Sequence, residues 1–322
     1  MLKNKRVFIT GGAGFIGSTL ARLLEADNEI CLYDSLRRDA RAHTLKDASD
    51  NVTLVQGDVR DFEKVKDALD NFKPTHVVHA AAIAGIDTVG KRPADTLLIN
   101  SIGSANVLRA AQEHGDIERV VCFSTSEIFG ANADHVSEKS DAIVGPVGEA
   151  RWVYAVSKLY TEHLAFAYYK QFGLPTACVR PFNVYGPGQV GEGALSTFTQ
   201  RALKNETIQI RGDGEQIRAW CFVDDMVDGV MRCLEHPGAV GKTFNIGHKE
   251  SAISIKDLAA KIIKLLGSDS KIEFVEGMSA DVYVRVPDVE YPKNEIGFEA
   301  KVGLDEGLLR GAEYYREKLG LA

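Results

Sequence analysis

The chain has 322 residues, of which 45% are hydrophobic and 26% charged, with a formal net charge of −7. That length buries a large core and allows one elaborated domain or two, while the acidic balance excludes a protein built mainly to grip nucleic acid. No apolar run reaches membrane-spanning length. The five cysteines (Cys31, Cys122, Cys178, Cys221, Cys233) form no Cys-x-x-Cys, so the expectation is reduced thiols in a cytoplasmic protein, with neither structural metal nor membrane partner.

In chain order, Val7–Ile9 is a short apolar run of the kind that forms a strand buried on both faces. Gly11, Gly12, Gly14 and Gly17 follow, and then a helical pattern with Ile16, Leu20, Leu23 and Leu24 on one side. A strand that runs through glycines into a helix N-terminus suits a phosphate, because bare backbone approaches closely and unpaired N–H groups face the charge. Asp34 ends the next apolar run, Ile30–Tyr33, and lies where a ribose-binding carboxylate belongs. The stretch predicts dinucleotide binding.

Strand-like runs then alternate with helical patterns. Val52–Val55 leads into Gly57-Asp-Val-Arg-Asp61, and a helix carries Phe62, Val65, Ala68 and Leu69 on one stripe. His76–Ala80 leads into Ala81, Ala82 and Ile83, followed by a long helix from Pro93 to His114 with proline in its first turn. Arg119–Phe123 ends in Ser124, Thr125 and Ser126. A second long helix spans Trp152–Phe172, and Leu174–Val179 is a sixth strand. This alternation predicts an α/β fold: a doubly wound parallel sheet with helices on both faces and ligands at the carboxyl ends of its strands.

Past Pro181 the pattern shifts to glycine-rich loops and short strands. Helical patterns lie near Leu195–Lys204, Asp224–Glu235, Ile255–Leu266 and Asp305–Lys318. We expect residues 1–180 to form a Rossmann-type nucleotide domain and residues 181–322 a smaller α/β substrate domain. The boundary is indistinct, because residues 243–247 read as a strand that could return to the main sheet.

Tyr154 and Lys158 stand one helical turn apart, on one face. For Tyr154 to act as a base near pH 7, its pKa must fall by roughly 3 units, about 4 kcal/mol. One neighbouring cation supplies ~1–3 units. Lys158 alone falls short on that arithmetic, and the positive ring of an oxidised nicotinamide is a second contributor.

Taken together, these motifs resemble the extended short-chain dehydrogenase/reductases, in particular the nucleotide-sugar epimerase/dehydratase/decarboxylase group. The resemblance runs over essentially the whole chain and rests on Thr10–Gly17, Gly57–Asp61, His79–Ala82, Asn100, Ser124–Glu127, Tyr154 and Lys158. It continues through Arg180–Pro187, Gly212–Gly214, Arg218, Asn245–Gly247 and Arg285–Asp288. It implies an NAD cofactor against Gly11, Gly14, Phe15, Ile16, Gly17, Asp34, Asp58, Val59, Ala80, Ala81, Ala82 and Asn100, with Lys158 also holding the nicotinamide ribose. Arg37 and Arg38, near Asp34, are read as solvated loop charges rather than as a seat for a 2′-phosphate.

The resemblance also implies that Thr125 binds the sugar hydroxyl that Tyr154 deprotonates. Asn183, Arg218 and Arg285 would hold the diphosphate of a nucleotide sugar, UDP-linked by preference. Oxidation at sugar C4 is the shared first step, after which the residues at Ser126 and Glu127 bear on the outcome. Thr-Ser-Glu, with Arg151-Trp152 before Tyr154 and Arg285 before Val-Pro-Asp, is most similar to UDP-glucuronate decarboxylases. A 4-epimerase and a 4,6-dehydratase stay open, as does a non-catalytic NAD(H) sensor more remotely. The resemblance further implies a homodimer paired through the Pro93–His114 and Trp152–Phe172 helices, the latter offering Leu164, Ala165, Ala167 and Tyr168.

Overall fold

The computed structural model describes residues 2–191, 193–277 and 282–321. Its strands are β1 (Arg6–Thr10), β2 (Glu29–Asp34), β3 (Val52–Gln56), β4 (His76–His79), β5 (Arg119–Phe123), β6 (Asn132–Val136), β7 (Thr176–Pro181), β8 (Val184–Tyr185), β9 (Ile208–Arg211), β10 (Ile217–Ala219), β11 (Cys221–Phe222), β12 (Lys242–Ile246), β13 (Ala252–Ser254), β14 (Ile272–Val275) and β15 (Val284–Pro287). The helices are α1 (Phe15–Leu24), α2 (Arg41–Thr44), α3 (Phe62–Phe72), α4 (Ile86–Lys91), α5 (Pro93–His114), α6 (Val153–Phe172), α7 (Ala194–Leu203), α8 (Val223–Glu235), α9 (Ile255–Leu266), α10 (Glu290–Ile296) and α11 (Leu304–Leu319).

Seven strands form a parallel sheet in the order β12-β7-β5-β4-β1-β2-β3. The central strands β1, β2 and β5 carry apolar runs because both of their faces are covered, and β4 sets Val77 and Val78 between two buried histidines. Phe8, Cys31, Tyr33 and Val77 pack toward α3, α5 and α6, while Val7, Ile9, Ile30 and Leu32 pack toward α1 and α8. Strand order reverses between β1 and β4, and the carboxyl ends of these two strands open the crevice where such sheets take ligands.

Most helix bounds agree with the sequence pattern to within a residue, and α5 agrees at both ends. The second long helix begins at Val153, because Ala150–Trp152 is a separate 3₁₀ turn. The segment 242–246 is β12, hydrogen-bonded beside β7 at the sheet edge, so the later half of the chain completes the sheet of the earlier half.

A second, four-stranded sheet runs β13-β10-β15-β6. β15 lies parallel to both β10 and β6, with Arg285 opposite Arg218 on one side and Ala133 on the other. This carries Arg285 back to the 3₁₀ turn Ser126–Phe129 that follows β5. A third cluster, in which Phe198, Leu258 and Leu308 of α7, α9 and α11 meet Tyr185, Trp220 and Phe222, forms the core of the later half.

Candidate active site

The glycine-rich turn connects β1 to α1. Gly11 has φ +70°, and a Cβ there would stand 2.6 Å from the Ala81 backbone nitrogen, so only glycine fits. At Gly17 a Cβ would stand 2.4 Å from the Gly11 carbonyl, so this glycine lets α1 pack onto the turn. Gly12 instead faces Leu32 in the core, which leaves Gly11, Gly14 and Gly17 on the cleft side. Gly14 caps α1 without a side-chain bond, leaving backbone N–H groups of the first turn for a phosphate.

These glycines, with Phe15 and Ile16, line a cleft of about 520 Å³. Asp34, Asp58, Val59 and Ala80–Ala82 form its far wall, and Tyr154 and Lys158 close the end beyond Ser124. Asp34 accepts hydrogen bonds from the backbone N–H groups of Ala13 (3.0 Å) and Leu36 (2.7 Å), which tie the glycine turn to the end of β2. Burial raises its pKa, and these two bonds act against that rise. Arg60 lies against Asp58 at 2.7 Å and lowers the Asp58 pKa. Arg38 lines the cleft and is exposed to solvent, while it also donates to the Ala84 carbonyl (3.1 Å) and Thr88 Oγ1 (3.0 Å). The cradle, its bare helix N-terminus and the Asp34 carboxylate fit a dinucleotide.

Asn100 is placed differently from the expectation that it touches the cofactor. Its Oδ1 accepts from Ile83 N–H, and its Nδ2 donates to the Ile83 carbonyl and Ser157 Oγ. Both amide donors are used inside the protein, so Asn100 braces the wall behind the cleft. Beside it runs a buried chain that the sequence reading gave no role. His79 joins Thr10 Oγ1 (2.8 Å) to Ser104 Oγ (3.0 Å), and Ser104 meets Thr161 (2.7 Å). Burial pushes the His79 pKa down to about 3, which keeps the ring neutral.

Tyr154 and Lys158 are both enclosed. Lys158 Nζ donates to the Phe123 carbonyl at 2.8 Å, and burial lowers its pKa to about 8. Burial and the nearby Glu127 charge raise the Tyr154 pKa, while the Thr125 hydrogen bond and Arg285 act to lower it. These surroundings, taken together, favour the neutral phenol, and a further positive charge beside it would act to lower its pKa. Thr125 Oγ1 also accepts from the Glu127 backbone N–H at 3.2 Å, fixing the hydroxyl beside Tyr154.

Ser126 is buried within the same turn. Glu127 Oε1 faces two guanidinium groups, Arg285 Nη1 at 3.3 Å and Arg151 Nη2 at 3.9 Å. Arg285 was expected among the diphosphate ligands; β15 delivers it instead to Glu127 and the Tyr154 neighbourhood. Its partner across the strand pair, Arg218, is only partly buried. Asn183, at φ +37°, donates to the Ala219 carbonyl at 3.1 Å and so ties the end of β7 to β10. Among the described residues no group of three or more His, Cys, Asp or Glu side chains could hold a metal ion.

A doubly wound sheet with a glycine cradle and an enclosed Tyr–Lys pair beside a serine/threonine strand end defines a dinucleotide-dependent short-chain dehydrogenase/reductase. Residues 7–247 match the NAD dependent epimerase/dehydratase family, and the chain belongs to it. It is 30% identical to the UDP-N-acetyl-alpha-D-glucosaminuronate decarboxylase of Bacillus cytotoxicus, over 97% of this chain and 98% of that one. To UDP-glucuronic acid decarboxylase 5 of Arabidopsis thaliana it is 33% identical, over 99% and 91%. Its fold is similar to that of the UDP-glucuronic acid 4-epimerase of Bacillus cereus, solved with UDP-glucuronic acid and NAD. The TM-score is 0.87 at 27% identity, covering 97% and 99% of the two chains. The protein is an NAD-dependent enzyme that modifies nucleotide sugars.

Proposed function

We propose that the enzyme oxidises C4 of a UDP-linked hexuronate and then decarboxylates it. The observation that carries this reading is the Glu127 carboxylate held between Arg285 and Arg151 beside Tyr154. When bound, NAD supplies a hydride acceptor whose positive ring favours the tyrosinate. Tyr154, aligned by Thr125, takes the C4 hydroxyl proton, and Lys158 steadies the phenolate and the nicotinamide ribose. The resulting C4 ketone is β to the C6 carboxylate. The C5–C6 bond then breaks, CO₂ leaves, and the electron pair moves into an enolate at O4. Protonation at C5 from the Glu127–Arg285 cluster would give a 4-keto pentose, and with the reduced cofactor supplying hydride at C4, Tyr154 would hand its proton back to O4 to give the UDP-pentose. Arg285 and Glu127 act at the carboxylate end of the sugar, with Ser126 alongside.

Residues 1–180 would hold the cofactor and residues beyond 181 the nucleotide, with Arg218 and Asn183 toward the diphosphate. Planar paired donors suit Arg218 to phosphate oxygens. A 4-epimerase of the same hexuronate is the second reading, favoured by the fold shared with an enzyme solved with UDP-glucuronic acid. A panel of UDP-, GDP-, dTDP- and CDP-sugars, read by mass spectrometry and NMR, separates the outcomes: loss of CO₂, loss of water, or unchanged mass with altered couplings. Loss of water, unchanged mass with altered couplings, or conversion of neutral sugars alone would overturn the proposal.

The free, buried state of all five cysteines suits a reducing cytoplasm. No helix among the described residues is long and apolar enough to cross a membrane. Pairing of two copies through α5 and α6 rests on Leu98, Ile102, Val156 and Tyr160, which expose apolar surface on these helices. Of the residues expected there, Ala167 is exposed, Leu164 and Tyr168 are half-buried with part of their surface against the monomer core, and Ala165 alone is buried.

A further inference from the structure

Arg151 stands on the 3₁₀ turn Ala150–Trp152, just before α6. Its side chain is 6% exposed, yet its nearest carboxylate oxygen, Glu127 Oε1, lies 3.9 Å from Nη2, beyond hydrogen-bonding distance. Its Nε is buried without an acceptor among the described residues, and its guanidinium carbon is 5.9 Å from the centre of the Trp152 ring. A buried guanidinium ordinarily takes a paired carboxylate. This protein provides one for Arg180, whose Nε and Nη2 both donate to Glu162. Among the described residues Arg151 has no equivalent, and Arg285 approaches the same Glu127 oxygen more closely than Arg151 does.

The Arg151 guanidinium thus lies beside Glu127, whose charge acts on Tyr154. In a hexuronate whose C4 hydroxyl meets Tyr154, the C6 carboxylate is two bonds from C4 and falls within reach of this cluster. We propose that Arg151 is a specificity-determining residue whose guanidinium completes its coordination on the carboxylate of the incoming sugar. The assignment rests on the hexuronate reading above and extends it to how an acid is told from an alcohol. A neutral hexose offers a hydroxymethyl group at the same place, leaving Arg151 buried without its anion, a loss that charged hydrogen bonds make costly.

The test is calorimetric binding of UDP-glucuronate and UDP-glucose to NAD-loaded protein carrying Tyr154→Phe, which blocks turnover. UDP-glucuronate should bind roughly 10- to 100-fold more tightly, the range for a charged hydrogen-bonded contact. Adding Arg151→Gln should abolish that preference while leaving UDP-glucose affinity within about twofold, and Arg151→Lys should keep part of it. Equal binding of the two ligands by the Tyr154→Phe protein would overturn the proposal. So would equal weakening of both by Arg151→Gln, which marks a structural role. Where Arg151→Gln does not fold, Arg151→Lys preserves the buried charge, and an undiminished preference in that variant would overturn the proposal. Preference that depends on Arg151 in an enzyme that releases no CO₂ supports this assignment while refuting decarboxylation.

Discussion

Glu127 and Arg285 are 158 positions apart and meet at 3.3 Å beside Tyr154. The pair exists because β15, from the end of the chain, is hydrogen-bonded between β10 and β6. It joins a carboxylate that could serve in proton transfer to a cation suited to an anionic sugar. Glu127→Gln should therefore lower CO₂ release by about 10²-fold, within the range for a lost proton-transfer group. C4 oxidation should persist, visible as reduced-cofactor absorbance on adding substrate. Equal loss of both steps would place Glu127 in substrate binding instead.

Tyr154→Phe should reduce turnover by about 10²–10⁴-fold. The phenol hydroxyl lies beyond the glycine cradle, so NAD carried through purification should be unaffected. An unimpaired variant would refute the role of Tyr154.

Asn100 satisfies both backbone polar groups of Ile83 and the Ser157 hydroxyl, all buried. Asn100→Ala leaves both Ile83 groups without partners, while Ser157 Oγ keeps its bond to the Tyr154 carbonyl, and should cost about 2–4 kcal/mol of stability, measured by urea unfolding. Asn100→Asp restores the acceptor to Ile83 N–H but not the donors, and should recover only part of that loss.

His79 gives the stability a pH dependence. Its ring stays neutral in the fold down to about pH 3, whereas the unfolded chain takes up a proton below about 6.5. Its contribution is thus complete at pH 7 and is lost progressively as pH falls from 6.5 toward 3. His76, lowered to about 4, acts in the same direction; Glu138, raised to about 7, opposes them between pH 7 and 4.5. His79→Gln should be less stable at pH 7 but lose less stability between pH 7 and 5, by urea titration at each pH. A parallel loss in both proteins would exclude His79 as the source.

The parallel sheet was legible because most of its strands carry short apolar runs, and several end at the ligand edge in glycine, serine or aspartate, as at Gly11, Asp34, Gly57 and Ser124. The second sheet was not: Asn132–Val136 buries only Ala133 along its length, so β6 has neither an apolar run nor an alternation. Without β6, nothing in the sequence brings Arg285 to Glu127, and Arg285 reads as a phosphate ligand. Asn100 was recognisable as part of a motif, but the motif does not say that its amide faces the protein. On α6 only Ala165 was misread: it is as apolar as Leu164 and Ala167, and only packing shows that it turns inward while Ala167 stays exposed beside Val156 and Tyr160.

The central claim is that C4 oxidation here leads to loss of the C6 carboxylate. Incubation of the purified enzyme with UDP-glucuronate, followed by mass spectrometry and NMR of the nucleotide sugar, tests it most directly. The predicted product is a UDP-pentose, or its 4-keto precursor, lighter than the substrate by CO₂. A product of unchanged mass with the couplings of UDP-galacturonate, or no conversion at all, would contradict it.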